Sequence, residues 1–367
     1  MLLFWSTVVF GQTDIQSLGV LPAILEESSG LIFYGGRLIT HNDSGNLPEL
    51  YELDPTTLAI TRTVVVNNAE NIDWEDLTQD ENYIYIGDFG NNSGDRTDLQ
   101  ILRISKADYE ASDSVSAVSI GFIYEDQTTI ETSPNSDFDA EAFIALNDEL
   151  IIFTKQWQSQ GTVAYRVPNA PGSFLAERMG QYQVNGLVTG ASYDTENNRL
   201  FLVGYSNLLF PFFVLAENST SDSIFGTGPE KTNLSNGPAQ VEAITYANDL
   251  VYLTSESFSN GPLFSADAQL YRFTLDSEET IDPEPIPLEE EFIVFKSFNS
   301  SFLEYELETN KPIFASAIYD SSGRMLRYTP LEFISERPVD ISMLQQGLYY
   351  FSFFYGNKVL SRPFYRD

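Results

Sequence analysis

The chain has no cysteine, a single histidine at position 41, and 19 Lys and Arg against 53 Asp and Glu in 367 residues. Without Cys there is no disulfide, no thiolate metal site and no Cys nucleophile. One His excludes a zinc centre built on several imidazoles, and a Ser–His–Asp triad would have to use His41. The net charge of −34 repels nucleic acid and anionic membrane surfaces, and it suits divalent cations, cationic ligands or plain solubility. G-x-S-x-G, P-loop and H-E-x-x-H motifs are all missing. Long apolar runs are missing too, so no transmembrane segment is expected; the run from Leu2 to Phe10 is too short to cross a bilayer.

That run reads as the apolar region of a signal peptide over residues 1–11, with Val9 and Gly11 suited to cleavage before Gln12. The basic segment that precedes such a region is missing, as in a leader with a truncated start. Hydrophobic residues make up 43% of the chain and aromatic ones 14%, which is ample for a core and favours strands. Charge divides the chain. Residues 292–367 hold eight bases and eight acids, whereas residues 1–291 hold 11 bases and 45 acids. Between them, DSEETIDPEPIPLEEE over 276–291 combines three prolines with a run of acids, which makes an extended, self-repelling linker. The expected organisation is a first domain over 12–275, this linker, and a second domain over 292–367.

The first domain repeats. A strand entered by an acid, a turn and a second apolar strand recur from Glu26, Asn71, Phe138, Val188 and Ala239. Aligning the copies sets Glu27, Glu75, Glu141, Ala191 and Glu242 in one position, spaced by 48, 66, 50 and 51 residues. A period near 50 with about four strands is the size of one propeller blade. The fifth copy ends after AQLYRFTL, and DIQSLGVL before the first copy can supply its fourth strand and close the ring. The predicted fold is therefore all-β: a five-bladed β-propeller, or a six-bladed one if a degenerate copy is present, then a small C-terminal β-sandwich signalled by turns at DSSG and QQG.

The tail carries IYDSSGR (Ile318 to Arg324), VDISMLQQGLYYF (Val339 to Phe351) and RPFYR (Arg362 to Arg366). In these it resembles the type A C-terminal sorting domain of type IX secretion in Bacteroidetes. The resemblance implies the type IX machinery as partner, translocation across the outer membrane, and a secreted or cell-surface product. The first domain resembles propeller proteins that accompany such tails and, more loosely, calcium-dependent lactonase and phosphotriesterase propellers.

In a propeller the start of the inner strand and the loop after the second strand open on one face. The repeat puts acids at both places. Glu27, Glu75, Glu141 and Glu242 enter inner strands; His41, Asn42, Asp43, Asp88 and Lys155 follow second strands. Crowded carboxylates are either protonated or hold a cation. All-oxygen donors favour Ca²⁺, bound by some of Glu27, Asn42, Asp43, Glu75, Asp88, Glu141 and Glu242. Lys155 offers an alternative counter-charge. Equally open, the glutamates accept backbone N–H bonds from a neighbouring blade and fix the ring. His41 is the candidate for a general base. Trp74 and Trp157 flank the same mouth and either stack on a ligand or pack between blades, and GDFGNNSGD reads as a tight Gly/Asn turn. Two functions remain: a secreted propeller binding an unknown small molecule or glycan on its acidic face, or a Ca²⁺-dependent hydrolase of esters, lactones or phosphoesters.

Overall fold

Strands at the centre of a layered assembly are buried on both faces, and strands at its margin alternate. Glu149–Lys155 is buried at every position after its first, whereas Gly172–Tyr182 alternates towards solvent. The computed structural model orders them accordingly. It describes residues 15–207, 209–234, 236–259, 265–275, 291–296, 301–308, 313–320, 324–330, 338–355 and 358–366. The expected leader at 1–11 and residues 276–290 of the expected linker lie outside the described residues.

The chain divides into two compact units, one spanning Gln16–Asn233 and Pro238–Arg272, the other containing Phe273–Asp367. In the first, strands meander outward in antiparallel fours. Ser28–Tyr34, Arg37–Asn42, Glu49–Leu53 and Ile60–Val66 form the first set. Trp74–Gln79, Tyr83–Asp88, Gln100–Ser105 and Val118–Tyr124 form the second. Asp139–Leu146, Glu149–Lys155, Thr162–Pro168 and Gly172–Tyr182 form the third. Leu187–Asp194, Arg199–Tyr205, Pro211–Ala216 and Glu230–Asn233 form the fourth. Val241–Ala247, Leu250–Ser255 and Gln269–Thr274 are completed by Gln16–Val20, which pairs antiparallel with Gln269–Thr274.

Each innermost strand neighbours the next, and Val241–Ala247 neighbours Ser28–Tyr34, so the cycle is closed. Apolar side chains pack between successive sets rather than in one central core. Phe89, Phe143, Ile152 and Tyr165 fill the gap between the second and third, and Leu25, Leu38, Tyr51 and Tyr252 that between the last and the first. A closed cycle of radially meandering sheets with cores between them is a β-propeller. Outer edges are partly paired as well: Ile120–Tyr124 runs parallel to Gly172–Ala176, and Val65–Val66 to Ser114–Val115. Paired edges cannot recruit other chains.

All five innermost strands break register at the same place. The residues left without a partner are Gly30, Glu75, Glu141, Thr189 and Glu242. Each is a β-bulge, which turns the strand and re-aims one side chain. This corrects the alignment of the copies: Gly30 and Thr189, not Glu27 and Ala191, occupy the glutamate position. Gly30 has φ +66°, and an added Cβ would lie 2.7 Å from both His41 Nε2 and the Leu77 nitrogen. No other side chain fits there.

Side chains tie the innermost strands together. Thr189 Oγ1 donates to the Val241 carbonyl at 2.6 Å, Ser192 Oγ accepts from Tyr246 N at 3.0 Å, and Thr78 Oγ1 accepts from Ala145 N at 3.1 Å. Asp76 does most. Fully buried, it accepts from Leu77 N (2.7 Å) through Oδ1, and from Phe143 N (3.0 Å) and Ala191 N (3.4 Å) through Oδ2. One carboxyl thus spans three sets. Burial holds its pKa well above the usual range despite those donors. The blade-fixing role open to the repeated glutamates falls instead to Asp76.

The second unit, described by itself, is a β-sandwich. One sheet contains Glu291–Lys296, Phe302–Glu308 and Val339–Asp340; the other orders Met325–Pro330, Ile313–Asp320, Gly347–Tyr355 and Lys358–Arg366. Leu303, Tyr305, Ile318, Ile341, Phe351, Phe353 and Phe364 form its core.

Removing Asp76 strands buried N–H donors on two other strands. Asp76→Ala should cost about 3 kcal/mol in urea unfolding, and Asp76→Asn, which keeps one acceptor, clearly less. A loss below about 0.5 kcal/mol for the alanine variant would remove Asp76 from this role.

Candidate functional site

Strand alternation sends residue i and i+2 to one side. Two residues before each bulge stand Ser28, Asp73, Asp139, Leu187 and Gln240. The second and third sets each bring Asp-x-Glu to the start of an innermost strand: Asp73, just before Trp74–Gln79, with Glu75, and Asp139 with Glu141. Asp43, in the loop after Arg37–Asn42, joins them. Its backbone is fixed by Glu27, whose carbonyl accepts from Asp43 N at 2.9 Å, and by Asn71, whose Nδ2 reaches the carbonyls of Asn42 and Asp43 at 2.9 Å.

Two overlapping carboxylate triads result. Asp43, Asp73 and Glu75 bring one oxygen each within 4.8 Å of one another, and so do Glu75, Asp139 and Glu141. These groups could hold a metal ion. Glu75 belongs to both, is 5% exposed, and its carboxylate accepts no hydrogen bond among the described residues. Gly90 lets the backbone close on the first triad: a Cβ there would sit 2.1 Å from Glu75 Oε1 and 2.4 Å from Asp73 Oδ2. The GDFGNNSGD turn is thus a wall of the site, and its second glycine is a steric requirement.

Lys155 serves the second triad. Its Nζ lies 3.0 Å from Glu141 Oε1, both side chains being buried, and sits over the rings of Trp157 at 4.8 Å and Tyr205 at 5.5 Å. Asp139 accepts from Trp157 Nε1 at 2.7 Å and from Asn91 N at 2.5 Å. Glu242 and Glu256 complete the negative surroundings of Lys155 and Asp43.

The electrostatics follow from burial first and like charge second. Asp73 is pushed up to about 7 by burial and by Asp43 and Asp139. Glu242 is pushed up to about 7 by burial, with Asp43 adding to it against the pull of Lys155. Burial, with neighbouring carboxylates, holds Glu75, Glu141 and Glu256 well above the usual range and raises Asp43, while burial raises Asp139 against the pull of Lys155, Asn91 and Trp157. Burial works against the charge of Lys155, but Glu141, Tyr205, Glu242 and Asp139 hold its pKa well above the ordinary value.

Of the side chains nominated from sequence, Asp43, Glu75, Glu141, Glu242, Lys155 and Trp157 are brought together. The others stand outside the two triads. Asp88 is buried and fully engaged, with Arg96 Nη2 at 3.1 Å, Gln100 Nε2 at 3.0 Å and Asp73 N at 3.2 Å. It anchors the Gly90 loop and belongs to neither triad. Glu27 is exposed and takes the Asn46 amide at 2.6 Å. Asn42 is 4% exposed; its Nδ2 donates to the Ile24 carbonyl at 2.7 Å, and its Oδ1 has no partner among the described residues.

His41 and Trp74 correct the expectation that both stand at the mouth. Both are fully buried, ring edge to ring face with centroids 5.6 Å apart. Trp74 Nε1 donates to the Glu70 carbonyl at 3.2 Å, and no face of its indole is open to a ligand. His41 Nδ1 lies 2.9 Å from the Asn42 carbonyl, and burial pushes its pKa down to about 4. The imidazole is a neutral packing group. Sequence reasoning missed Asp73 and Asp139, whose signal was present as the Asp-x-Glu spacing.

No protein-family model and no curated protein matches the chain. Among solved structures it is similar to a quinoprotein alcohol dehydrogenase-like protein of Bacteroides thetaiotaomicron, 13% identical over 84% of this chain and 67% of that one, with a TM-score of 0.33. It is similar to a putative oxidoreductase (glucose dehydrogenase) of Thermus thermophilus, 9% identical over 71% of this chain and 99% of that one, TM-score 0.39. A third is an exo-β-1,3-galactanase of Phanerochaete chrysosporium, 8% identical over 92% of this chain and 88% of that one, TM-score 0.43. At such identities and scores the likenesses carry no argument about what this chain binds or does.

Proposed function

We propose that this is a secreted or cell-surface five-bladed propeller whose channel mouth binds a divalent cation, Ca²⁺, and presents it to a small-molecule or glycan ligand. One observation carries the reading: Glu75, 5% exposed, stands in two carboxylate triads at once, and its carboxylate accepts no hydrogen bond from the described residues. A buried carboxylate without donors either stays protonated or meets a cation. The donors are all oxygen, which suits Ca²⁺ rather than zinc. The partly buried Trp157 offers the mouth an aromatic wall. Export rests on the tail and its likeness to type IX sorting domains; among the described residues no helix is long and apolar enough to cross a membrane.

Calcium and protons compete for these carboxyls. A carboxyl whose pKa is raised on folding adds stability below its unfolded pKa and loses it as pH rises through the folded value. Asp73 and Glu242 both sit at about 7 in the folded protein. Chelator-stripped protein should therefore melt at falling temperature between about pH 5 and pH 8. Saturating Ca²⁺ should remove most of that fall, and calorimetric titration near neutrality should show proton release with binding. A melting point indifferent to both pH and Ca²⁺ would dismiss the cation reading.

The hydrolase reading loses the base that the sequence nominated, His41, and rests instead on a carboxylate beside the cation, Asp73, whose pKa of about 7 in the metal-free protein a bound cation lowers. If that reading holds, Ca²⁺-loaded protein turns over some ester, lactone or phosphoester, and Asp73→Asn abolishes turnover. A panel of all three classes that shows no turnover with Ca²⁺ bound leaves the binding reading alone.

Export has its own test. Deleting residues 292–367 should leave the propeller in the periplasm of a type IX-secreting host; normal appearance of the truncation in the medium would reject the sorting role.

A further inference from the structure

Both triads are built of carboxylates alone, but an ammonium group stands against one of them. Asp139 pairs opposite Lys155 in the third set, and Lys155 Nζ lies 3.0 Å from Glu141. In the first set the same register position, opposite Ser28, holds Asn42. It is neutral, 4% exposed, and its amide oxygen has no partner among the described residues. Asn42 adjoins Asp43, a member of the other triad, which Lys155 acts on through its charge but which has no ion pair with a lysine among the described residues. The carboxylates of Asp73 and Glu75 accept no hydrogen bond among the described residues, whereas both oxygens of Asp139 are taken by Trp157 and Asn91. Arg96 lies near Asp73, but its guanidinium is committed to Asp88, Asp98 and the Gly90 carbonyl.

We propose that the mouth is a two-position cation site bridged by Glu75, in which Lys155 fills the Glu75–Asp139–Glu141 position from within the chain and one free divalent cation fills the Asp43–Asp73–Glu75 position. The proposal rests on the cation reading above and adds to it the stoichiometry, the location and the role of the lysine. A tethered ammonium is a permanent single charge that leaves no open coordination position. A free divalent cation keeps positions for water or ligand. The Asp43 half is thus where a ligand oxygen binds, and the Lys155 half is its fixed electrostatic counterpart. Without Lys155 the second triad becomes a vacancy of the same donor chemistry.

The test is calorimetric titration of the full chain with calcium chloride after chelator treatment, for the unsubstituted protein and for Lys155→Met, Asp43→Asn and Asp139→Asn. The unsubstituted protein should take one equivalent and Lys155→Met two. Asp43→Asn should weaken the single equivalent by about tenfold or more, and Asp139→Asn by less than about threefold. If the unsubstituted protein binds no calcium, the cation reading itself fails, and this inference with it. If it binds one equivalent and Lys155→Met also binds one, the cation reading stands and the tethered-cation role is overturned. Two equivalents in the unsubstituted protein overturn it equally. Where Lys155→Met does not fold, the Asp43 and Asp139 pair decides: equal weakening by both substitutions, or weakening by Asp139→Asn alone, contradicts the assignment.

Discussion

Each innermost strand carries one residue more than its partner can pair, and the centre of the ring is made of those residues. Around a shared axis, neighbouring innermost strands face one another without a backbone ladder between them, so their contacts are made by side chains. A bulge bends the strand at that point and re-aims one side chain. Because the break falls at Gly30, Glu75, Glu141, Thr189 and Glu242 in turn, the identity of that residue sets part of what each repeat contributes to the mouth. Glycine admits His41 from the flank, threonine ties to the next set through the Val241 carbonyl, and glutamate projects charge.

Like charges so placed raise the free energy of the fold unless something answers them. The ring answers in two ways. At Asp139 and Glu141 the answer is internal: indole, amide and ammonium donors converge on both carboxylates. At Asp73 and Glu75 it is a proton near neutral pH or a cation from outside, since Gly90 presses the backbone against them without offering a side-chain donor. That asymmetry within an otherwise repeating scaffold is the argument for function. A purely structural ring would answer every acid from within.

The fold was legible because its signals are redundant. Five copies of one apolar pattern, a missing fourth strand at one end and a spare strand at the other all lead to a closed ring, and Gln16–Val20 pairs with Gln269–Thr274 accordingly. The site was legible only in part. Aligning copies by their acids put Glu27 beside Glu75, but strand register follows hydrogen bonding, and a bulge adds a residue that a sequence alignment cannot see. Asp88 looked like a ligand because it ends a second strand next to a polar loop. Arg96 and Gln100, eight and twelve residues on, consume it, and nothing local announces that pairing. His41 sits in a polar stretch, His-Asn-Asp, yet its ring goes under Trp74 because the bulged Gly30 on the paired strand has no side chain and leaves room.

The adjacent pair Glu75 and Asp76 states the division of labour within two residues. Strand alternation sends them to opposite sides. Asp76 meets three backbone N–H groups from three sets and is spent entirely on holding them. Glu75 meets other carboxylates and is spent on nothing the chain supplies. A backbone donor can be satisfied by any acceptor of the right reach, and the three donors on Asp76 favour its ionised form while burial opposes it. Glu75 has no such substitute: only its charge, or the proton that cancels it, has consequences. The fastening of the ring and the crowding of acids at its mouth thus rest on neighbouring residues with separate partners, so a change at Glu75 need not loosen the sheets that Asp76 holds.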